Sequence, residues 1–379
     1  MPAQFALGPR LLHGPGSLSA LQEFAGERVL LVTDAGIEST PVFGEIRWQL
    51  AGSEVTVFDK VLPDPSTSMV ATLLRVYLDF APHAIVAVGG GSVIDTAKAT
   101  HLIAQQQGQA APWGLAVVPT TSGSGSEVTS VAVVTDEEHQ VKIPLLDERL
   151  MPRLAILDPA AVVGCPRKVT ADSGMDALTH AFEAYVATGN SDCSDAFAEK
   201  AVRLIREFLP VVVATPSDVL ARERMHNAAT LAAVAFQNAG LGIVHSLAHA
   251  IGGHFHVAHG RINSIVLPHV VAFNAGGLSV GAGGGVVSAV SERYTELARA
   301  VGLEPAGRGS GPKKLVAMIE RLAAQLSMPR TLTEAGVARA EFEEKIDQMA
   351  EQALEDACTA TNPVQPSVDD LRGLLRVVA

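Results

Sequence analysis

Cysteine is scarce in this chain of 379 residues: Cys165, Cys193 and Cys358 are odd in number, far apart and in no C-x-x-C arrangement. Neither a disulfide framework nor a thiolate zinc site is indicated, and a reducing, cytoplasmic setting is expected. Clusters of Lys and Arg are also missing, and the formal charge is −12. Nucleic acid and an anionic membrane surface both need a basic patch that displaces counterions, so neither is expected as a partner. The N-terminal "MPAQFALGPRLLHGPG" lacks the cationic start, unbroken apolar run and small-residue cleavage site of a secretory signal. From residue 262 to 290 there is no Asp, Glu, Lys or Arg, yet His269, two Asn and six glycines interrupt the stretch. It reads as a buried segment followed by a loop, not as a membrane span.

The composition, 48% hydrophobic and 18% charged, suffices for two packed domains with small-molecule partners. Short apolar runs alternate with helical patterns through the first 160 positions: "RVLLVTD" (28–34), "EVTVFDK" (54–60), "AIVAVGGGS" (84–92), "LAVVPTTSGSGS" (115–126), "SVAVVTD" (130–136) and "LAILDP" (154–159). Val/Ile/Leu runs ending in Gly, Asp or Pro before a helix are the mark of a parallel α/β sheet. Beyond "DPAAVVGCPRKVT", stretches such as "MDALTHAFEAYVA" and "RERMHNAATLAAVAFQNAG" carry apolar residues at helical spacing. The expected organisation is an α/β dinucleotide-binding domain over 1–165 and an all-α domain over 166–379, with Pro159 and Pro166 as breakers. The glycine-rich 274–290 stretch is expected to be a mobile surface loop.

Two loops point to a nucleotide. In "AIVAVGGGSVIDTAKAT" an apolar strand runs into three glycines and Ser92, with Asp95 three residues on. That spacing resembles a capping box, which would start a helix whose free N–H groups face the glycine turn and suit a pyrophosphate. A side chain there would hold the diphosphate away. A second polar loop, from Thr120 and Thr121 to Ser126, follows the next strand end, where parallel sheets place ligands. Asp34 ends the first strand. Its carboxylate either accepts hydrogen bonds from an adenosine ribose, favouring NAD over NADP, or caps the next turn.

A metal is indicated farther on. Asp176 and His180 stand four residues apart on an apparent helix, as do His245 and His249, so each pair shares a face. A lone buried histidine is more often a satisfied core residue, but two such pairs in an apolar region carry more weight. One carboxylate with several imidazoles and no thiolate suits Fe(II), Zn(II), Co(II) or Ni(II) better than Ca or Mg. Beside a nicotinamide, such a cation would act as a Lewis acid on an alcohol or aldehyde oxygen.

Taken in order, "GGGSVIDTAKA", "PTTSGSGSEVTS", "LAILDP", "GMDALTHAFEAYV", "AGLGIVHSLAHAIGG" and "HGRINSIVLPHVVAFN" resemble the iron-containing (group III) alcohol dehydrogenases over nearly the whole chain. Within that family "DAFAEKAVRLI", "RERMHNAATLA" and "GGHFHVAHG" are most similar to the propanol dehydrogenases of propanediol-utilisation microcompartments, with the ethanolamine-utilisation enzymes as near relatives. The resemblance implies the dehydroquinate synthase-like fold of that family, with the active site in a cleft between its domains. It implies a metal held by Asp176, His180, His245 and His259, and places His249 beside nicotinamide and substrate, off the metal. It puts the pyrophosphate on Gly90, Gly91 and Ser92, the second nucleotide loop at Thr120 and Thr121, the ribose acid at Asp34 and a cofactor-contacting lysine at Lys142.

The implied activity interconverts short aldehydes and primary alcohols, such as propanal and 1-propanol, with NAD(H) and Fe(II), Zn(II) being the alternative metal. The implied assembly is a homodimer or higher homo-oligomer, with microcompartment components as further partners. Competing readings are a zinc-dependent polyol (glycerol-type) dehydrogenase on the same scaffold and a non-catalytic nucleotide-binding microcompartment protein. The chain departs from the family pattern at His254 and in the longer glycine-rich stretch after Asn274. Of the five histidines in "HSLAHAIGGHFHVAH" (245–259), His245 and His259 are thus expected at the metal, with a helix break at Gly252 and Gly253 between them. His249 is expected at the chemistry, and His254 and His256 stay unassigned.

Overall fold

The computed structural model describes residues 4–138, 141–276, 288–307 and 309–379, and the glycine-rich stretch falls mostly outside them. In the first part of the chain, strands and helices run β1 (Arg10–His13), β2 (Arg28–Val32), α1 (Ala35–Glu38), α2 (Pro41–Gln49), β3 (Glu54–Phe58), α3 (Thr67–Phe80), β4 (Ala84–Gly89), α4 (Gly91–Gln106), β5 (Gly114–Pro119), β6 (Val131–Asp136), β7 (Val141–Leu146), β8 (Leu154–Leu157) and α5 (Ala160–Val163). A six-stranded sheet in the order β1-β8-β5-β4-β2-β3 is parallel throughout. Alternate residues of β2 enter different cores. Leu30 and Val32 pack with Phe58, Leu73, Tyr77 and Ile94, while Val29 and Leu31 pack with Leu21, Ile46 and Leu50. Both faces are therefore covered, which is why these strands read as continuous apolar runs.

Five of the six expected runs lie in this sheet. The sixth, β6, instead pairs antiparallel with β7 in a separate hairpin. Its burial alternates, with Ala132 and Val134 turned inward against Leu102 and Ala99 of α4. Strand-forming composition identifies an extended run but not its partner. The parallel edge is supplied by β1, "RLLH", too short and too exposed to stand out by pattern.

Helices follow: α6 (Arg167–Val186), α7 (Asp192–Ala214), α8 (Val219–Ala239), α9 (Ile243–Phe255), α10 (His259–Asn274), α11 (Ala289–Ala300), α12 (Gly311–Gln325), α13 (Arg339–Glu355) and α14 (Val368–Val378). Two compact units result. The α/β unit comprises Ala6–Thr170 and Ala214–Val234; the helical unit comprises Ala171–Val213 and Ala235–Ala379, with Met1–Phe5. A single cut after residue 165 thus misses the return of Ala214–Val234 to the α/β unit. Helical periodicity marks a buried face without saying what it packs on. Here the link is made by the buried Arg222, whose guanidinium donates to the carbonyls of Pro216 (2.9 Å) and Cys165 (3.1 Å) and to Thr170 Oγ1 (2.9 Å). Among the described residues no single helix is long and apolar enough to cross a membrane.

Candidate functional site

In the α/β unit, the carboxyl ends of β4 and β5 lie side by side, with Gly89 opposite Pro119. The loops that follow therefore emerge together. A Cβ placed on Gly91 would sit 2.9 Å from Ser124 Cβ, and one on Gly90 would lie 3.3 Å from Thr121. The expected capping box is absent: α4 begins at Gly91, its N-cap is Gly90 with no side-chain bond, and Asp95 turns elsewhere. The missing side-chain cap leaves the start of α4 suited to an anion. Asp34 does cap a turn, accepting from Ile37 N at 3.0 Å. The Lys142 ammonium, on β7, lies 2.8 Å from Asp64 Oδ1.

Asp95 accepts from Ser126 Oγ (2.5 Å) and Val133 N (2.9 Å), fixing the end of the second loop. One turn on, the buried Lys98 ammonium donates to the carbonyls of Thr129 (2.7 Å) and Val131 (2.8 Å). Burial pushes the Lys98 pKa down to about 8 against the pull of Asp95 and Glu127, and burial raises both carboxyls. Helix α8 braces the same loop, with His226 Nδ1 3.1 Å from Ser122 Oγ and Thr230 Oγ1 donating to Glu127 at 2.6 Å. The second loop is thus held from three sides.

In the helical unit, Asp176 and His180 project from the buried α6 and His245 from α9. Their donor atoms lie within 4.8 Å of one another. Asp176 Oδ1 is the hub: His180 Nε2 is 3.9 Å from it, His245 Nε2 3.8 Å, and His259 Nε2, from the start of α10, 3.6 Å. The His180 and His245 rings stack at 4.7 Å. His245 Nε2 is buried and has no hydrogen-bond partner. Four donors around a cation at bond lengths of about 2.1 Å would be roughly 3.4 Å apart in a tetrahedron, so the residues fit a divalent metal after a small contraction.

The surrounding side chains explain the aim of these donors. Glu183, two turns along α6 from Asp176, accepts from His245 Nδ1 (2.5 Å) and Val244 N (2.7 Å). Burial lowers the His245 pKa, but the Glu183, Asp176 and Asp356 carboxylates together more than offset this and the net shift is upward. Asn263 Nδ2 donates to Asp176 Oδ1 at 2.7 Å, and Arg261 pairs with Asp172 at 2.8 Å. Gly260 admits this packing: a Cβ there would meet the Asp172 carbonyl oxygen at 1.9 Å. Glu183 and Asn263 escaped the sequence reading, although positions 176, 180 and 183 share a helix face and Asn263 follows His259 by one turn.

The remaining histidines divide. His249 Nδ1 lies 2.9 Å from Asp356 Oδ2, and its ring stacks on that of His259 at 5.4 Å. His254 Nε2 lies 3.0 Å from Gln352 Oε1, and His256 caps α9 with a left-handed φ of 47°. The helix runs through Gly252 and Gly253 to Phe255, so the break falls at His256, not at the glycines. A glycine inside a helix costs only about 1 kcal/mol, too little to end one that is packed on both sides.

Glycine and hydroxyl loops at the ends of a parallel sheet, with a carboxylate ringed by imidazoles in a helical unit, belong to dinucleotide-linked oxidoreductases that use a bound cation. Within that class the sequence comparisons are specific. Residues 8–159 match the family described as iron-containing alcohol dehydrogenase, and residues 170–378 the Fe-containing alcohol dehydrogenase family, C-terminal. The chain belongs to the iron-containing alcohol dehydrogenase family and is an alcohol dehydrogenase. It is 38% identical over 374 residues to the 1-propanol dehydrogenase PduQ of Salmonella typhimurium, covering 98% of each chain. It is 36% identical over 391 residues to the NAD-dependent methanol dehydrogenase of Bacillus methanolicus, again over 98% of each. The crystal structure of a 1,3-propanediol oxidoreductase superposes with a TM-score of 0.90 at 32% identity, over 100% of both chains.

Proposed function

We propose that this alcohol dehydrogenase interconverts short aliphatic aldehydes and primary alcohols, such as propanal and 1-propanol, using NAD(H) and a divalent metal held by Asp176, His180, His245 and His259. The observation that carries the reading is the convergence of three imidazole Nε2 atoms within 3.9 Å of Asp176 Oδ1, one of them buried without a partner. A buried nitrogen left unsatisfied costs on the order of 1–3 kcal/mol unless a ligand takes it. The relatives named for 1-propanol and for NAD-dependent methanol oxidation support the substrate class and the cofactor. A sulfur-free donor set suits Fe(II), in keeping with the family, and Zn(II) is the alternative.

The cation supplies Lewis acidity toward the substrate oxygen and NAD(H) the hydride exchange. The chain does the rest. Glu183 holds the Nδ1 proton of His245 so that the Nε2 lone pair faces Asp176, and Asn263 fixes the Asp176 carboxylate. Asp356 engages His249 Nδ1, leaving Nε2 as the nitrogen from which a proton can be passed. Gly90, Gly91 and Ser92 at the start of α4 receive the pyrophosphate, Thr120 and Thr121 line the second loop, and Lys142 contacts the cofactor. The Asp34 carboxylate, with Oδ1 held by Ile37 N, turns its other oxygen to the ribose.

The test is metal analysis of anaerobically purified protein, then chelation, reloading with Fe(II) or Zn(II), and assay with NADH against aldehydes from acetaldehyde to hexanal. Activity is expected to vanish on stripping and return with Fe(II), with the short aldehydes preferred. Full turnover of propanal by the stripped protein would overturn the proposal. Asp34→Gly should raise use of NADP, and an unchanged cofactor ratio would remove Asp34 from the ribose site. His249→Ala should keep its metal and lose rate. We also propose a homo-oligomer, to be read by light scattering, and association with a microcompartment, to be read by co-purification with shells.

A further inference from the structure

We propose that His249, Asp356 and Cys358 form a second cation site, distinct from the Asp176 group and selective for thiophilic ions such as Zn2+, Co2+ and Cd2+. An imidazole nitrogen, a carboxylate oxygen and the Cys358 sulfur lie within 4.8 Å of one another, and one ion with bonds of about 2.1–2.3 Å would draw them in to roughly 3.4–3.7 Å apart. All three residues are half-buried. The site is held in place by its backbone. Asp356 caps the 3-10 turn Ala357–Thr361, its Oδ1 accepting from Cys358 N at 2.8 Å, which keeps the thiol beside the carboxylate. Its Oδ2 is 2.9 Å from His249 Nδ1, and Ser246 Oγ lies 3.3 Å from Oδ1.

The donor set separates this site from the first. Asp176, His180, His245 and His259 offer only oxygen and nitrogen, whereas a thiolate here selects softer metals. Burial holds the Cys358 thiol well above its usual pKa, so the sulfur is protonated until an ion arrives. Binding therefore releases the thiol proton to solvent as the metal–sulfur bond forms. An ion in this site withdraws Asp356 and His249 from each other. Excess zinc would then slow the enzyme reversibly, a consequence that rests on the role proposed above for His249.

The test uses protein whose Asp176 site is already filled with Fe(II), titrated anaerobically with Co(II). One further equivalent should bind, with a near-ultraviolet sulfur-to-cobalt charge-transfer band that no sulfur-free site can produce. Cys358→Ser should lose the band and weaken binding by roughly tenfold or more while keeping its iron. Should that variant fold poorly, Cys165→Ser/Cys193→Ser, whose only thiol is Cys358, must still show the band. Absence of the band in the native protein, or its survival in Cys358→Ser, would overturn the site. Zinc inhibition that Cys358→Ser resists supports both the site and the role of His249; a band without inhibition supports the site and overturns that role.

Discussion

The group around Asp176 depends on residues that are not themselves among its four donors. Glu183 is 4% exposed and satisfies the distal nitrogen of His245 and the first turn of α9 together. A carboxylate behind a ligating imidazole fixes its tautomer and raises its basicity, and its loss typically costs about 10–100-fold in metal affinity. Glu183→Gln, which keeps the shape, should lower metal retention by that order during dialysis against chelator while the far-ultraviolet spectrum stays native. Retention equal to that of the native protein would leave Glu183 with packing alone. His226 offers a test in the other unit. It is 2% exposed, and burial, aided by Arg222, pushes its pKa down to about 4 from 6.5. The folded state therefore binds fewer protons than the unfolded chain between those values. Its contribution, on the order of 3 kcal/mol, is intact above the unfolded pKa and is lost as the pH falls toward the folded one. His226→Asn should flatten the decline of melting temperature on acidification over that window.

At the scale of elements, the site is the meeting of α6, α9 and α10. Helix α6 brings Asp176, His180 and Glu183 to one face, and the left-handed His256 turns the chain so that α10 can present His259 to the same oxygen. The start of α10 comes so close to α6 that only glycine fits at 260. Gly260→Ala should displace His259 from Asp176, with weaker metal retention and a lower melting temperature; an unaltered protein would show that the backbone yields without consequence. In the α/β unit the second loop is fastened by Lys98. Lys98→Met would leave the Thr129 and Val131 carbonyls without their donor and two carboxyls without their counter-charge. A loss of about 3–5 kcal/mol in denaturant unfolding is expected, the usual effect of removing one partner from a buried charged group.

At the scale of the molecule, a cation held as proposed by donors from three helices would stabilise the helical unit by mass action. Metal removal should therefore raise hydrogen exchange in α6, α9 and α10 while leaving β2, β4 and β5 protected. Uniform exchange in both states would argue against the assignment of the donors. Much of this architecture was legible in the chain. Apolar runs identified β2, β4, β5 and β8 and the alternating EVTVF identified β3, while the i, i+4 pairs at Asp176/His180 and His245/His249 identified α6 and α9. The hairpin of β6 with β7, the placement of Ala214–Val234 and the course of Asp95 were not legible, because each depends on a partner distant in sequence.

The sequence by itself determined which residue types were available and which of them share a helix face, since backbone geometry repeats with a fixed period. That period could not separate His245 from His249, which satisfy it equally; the family resemblance parted them. Only the tertiary structure gives the difference a physical basis: Glu183 engages Nδ1 of His245, whose Nε2 lies 3.8 Å from Asp176, while Asp356 engages Nδ1 of His249 one turn away. Those carboxylates stand 62 and 107 residues from their imidazoles. Hydrogen bonds over such separations are fixed by packing, which periodicity along one helix does not encode.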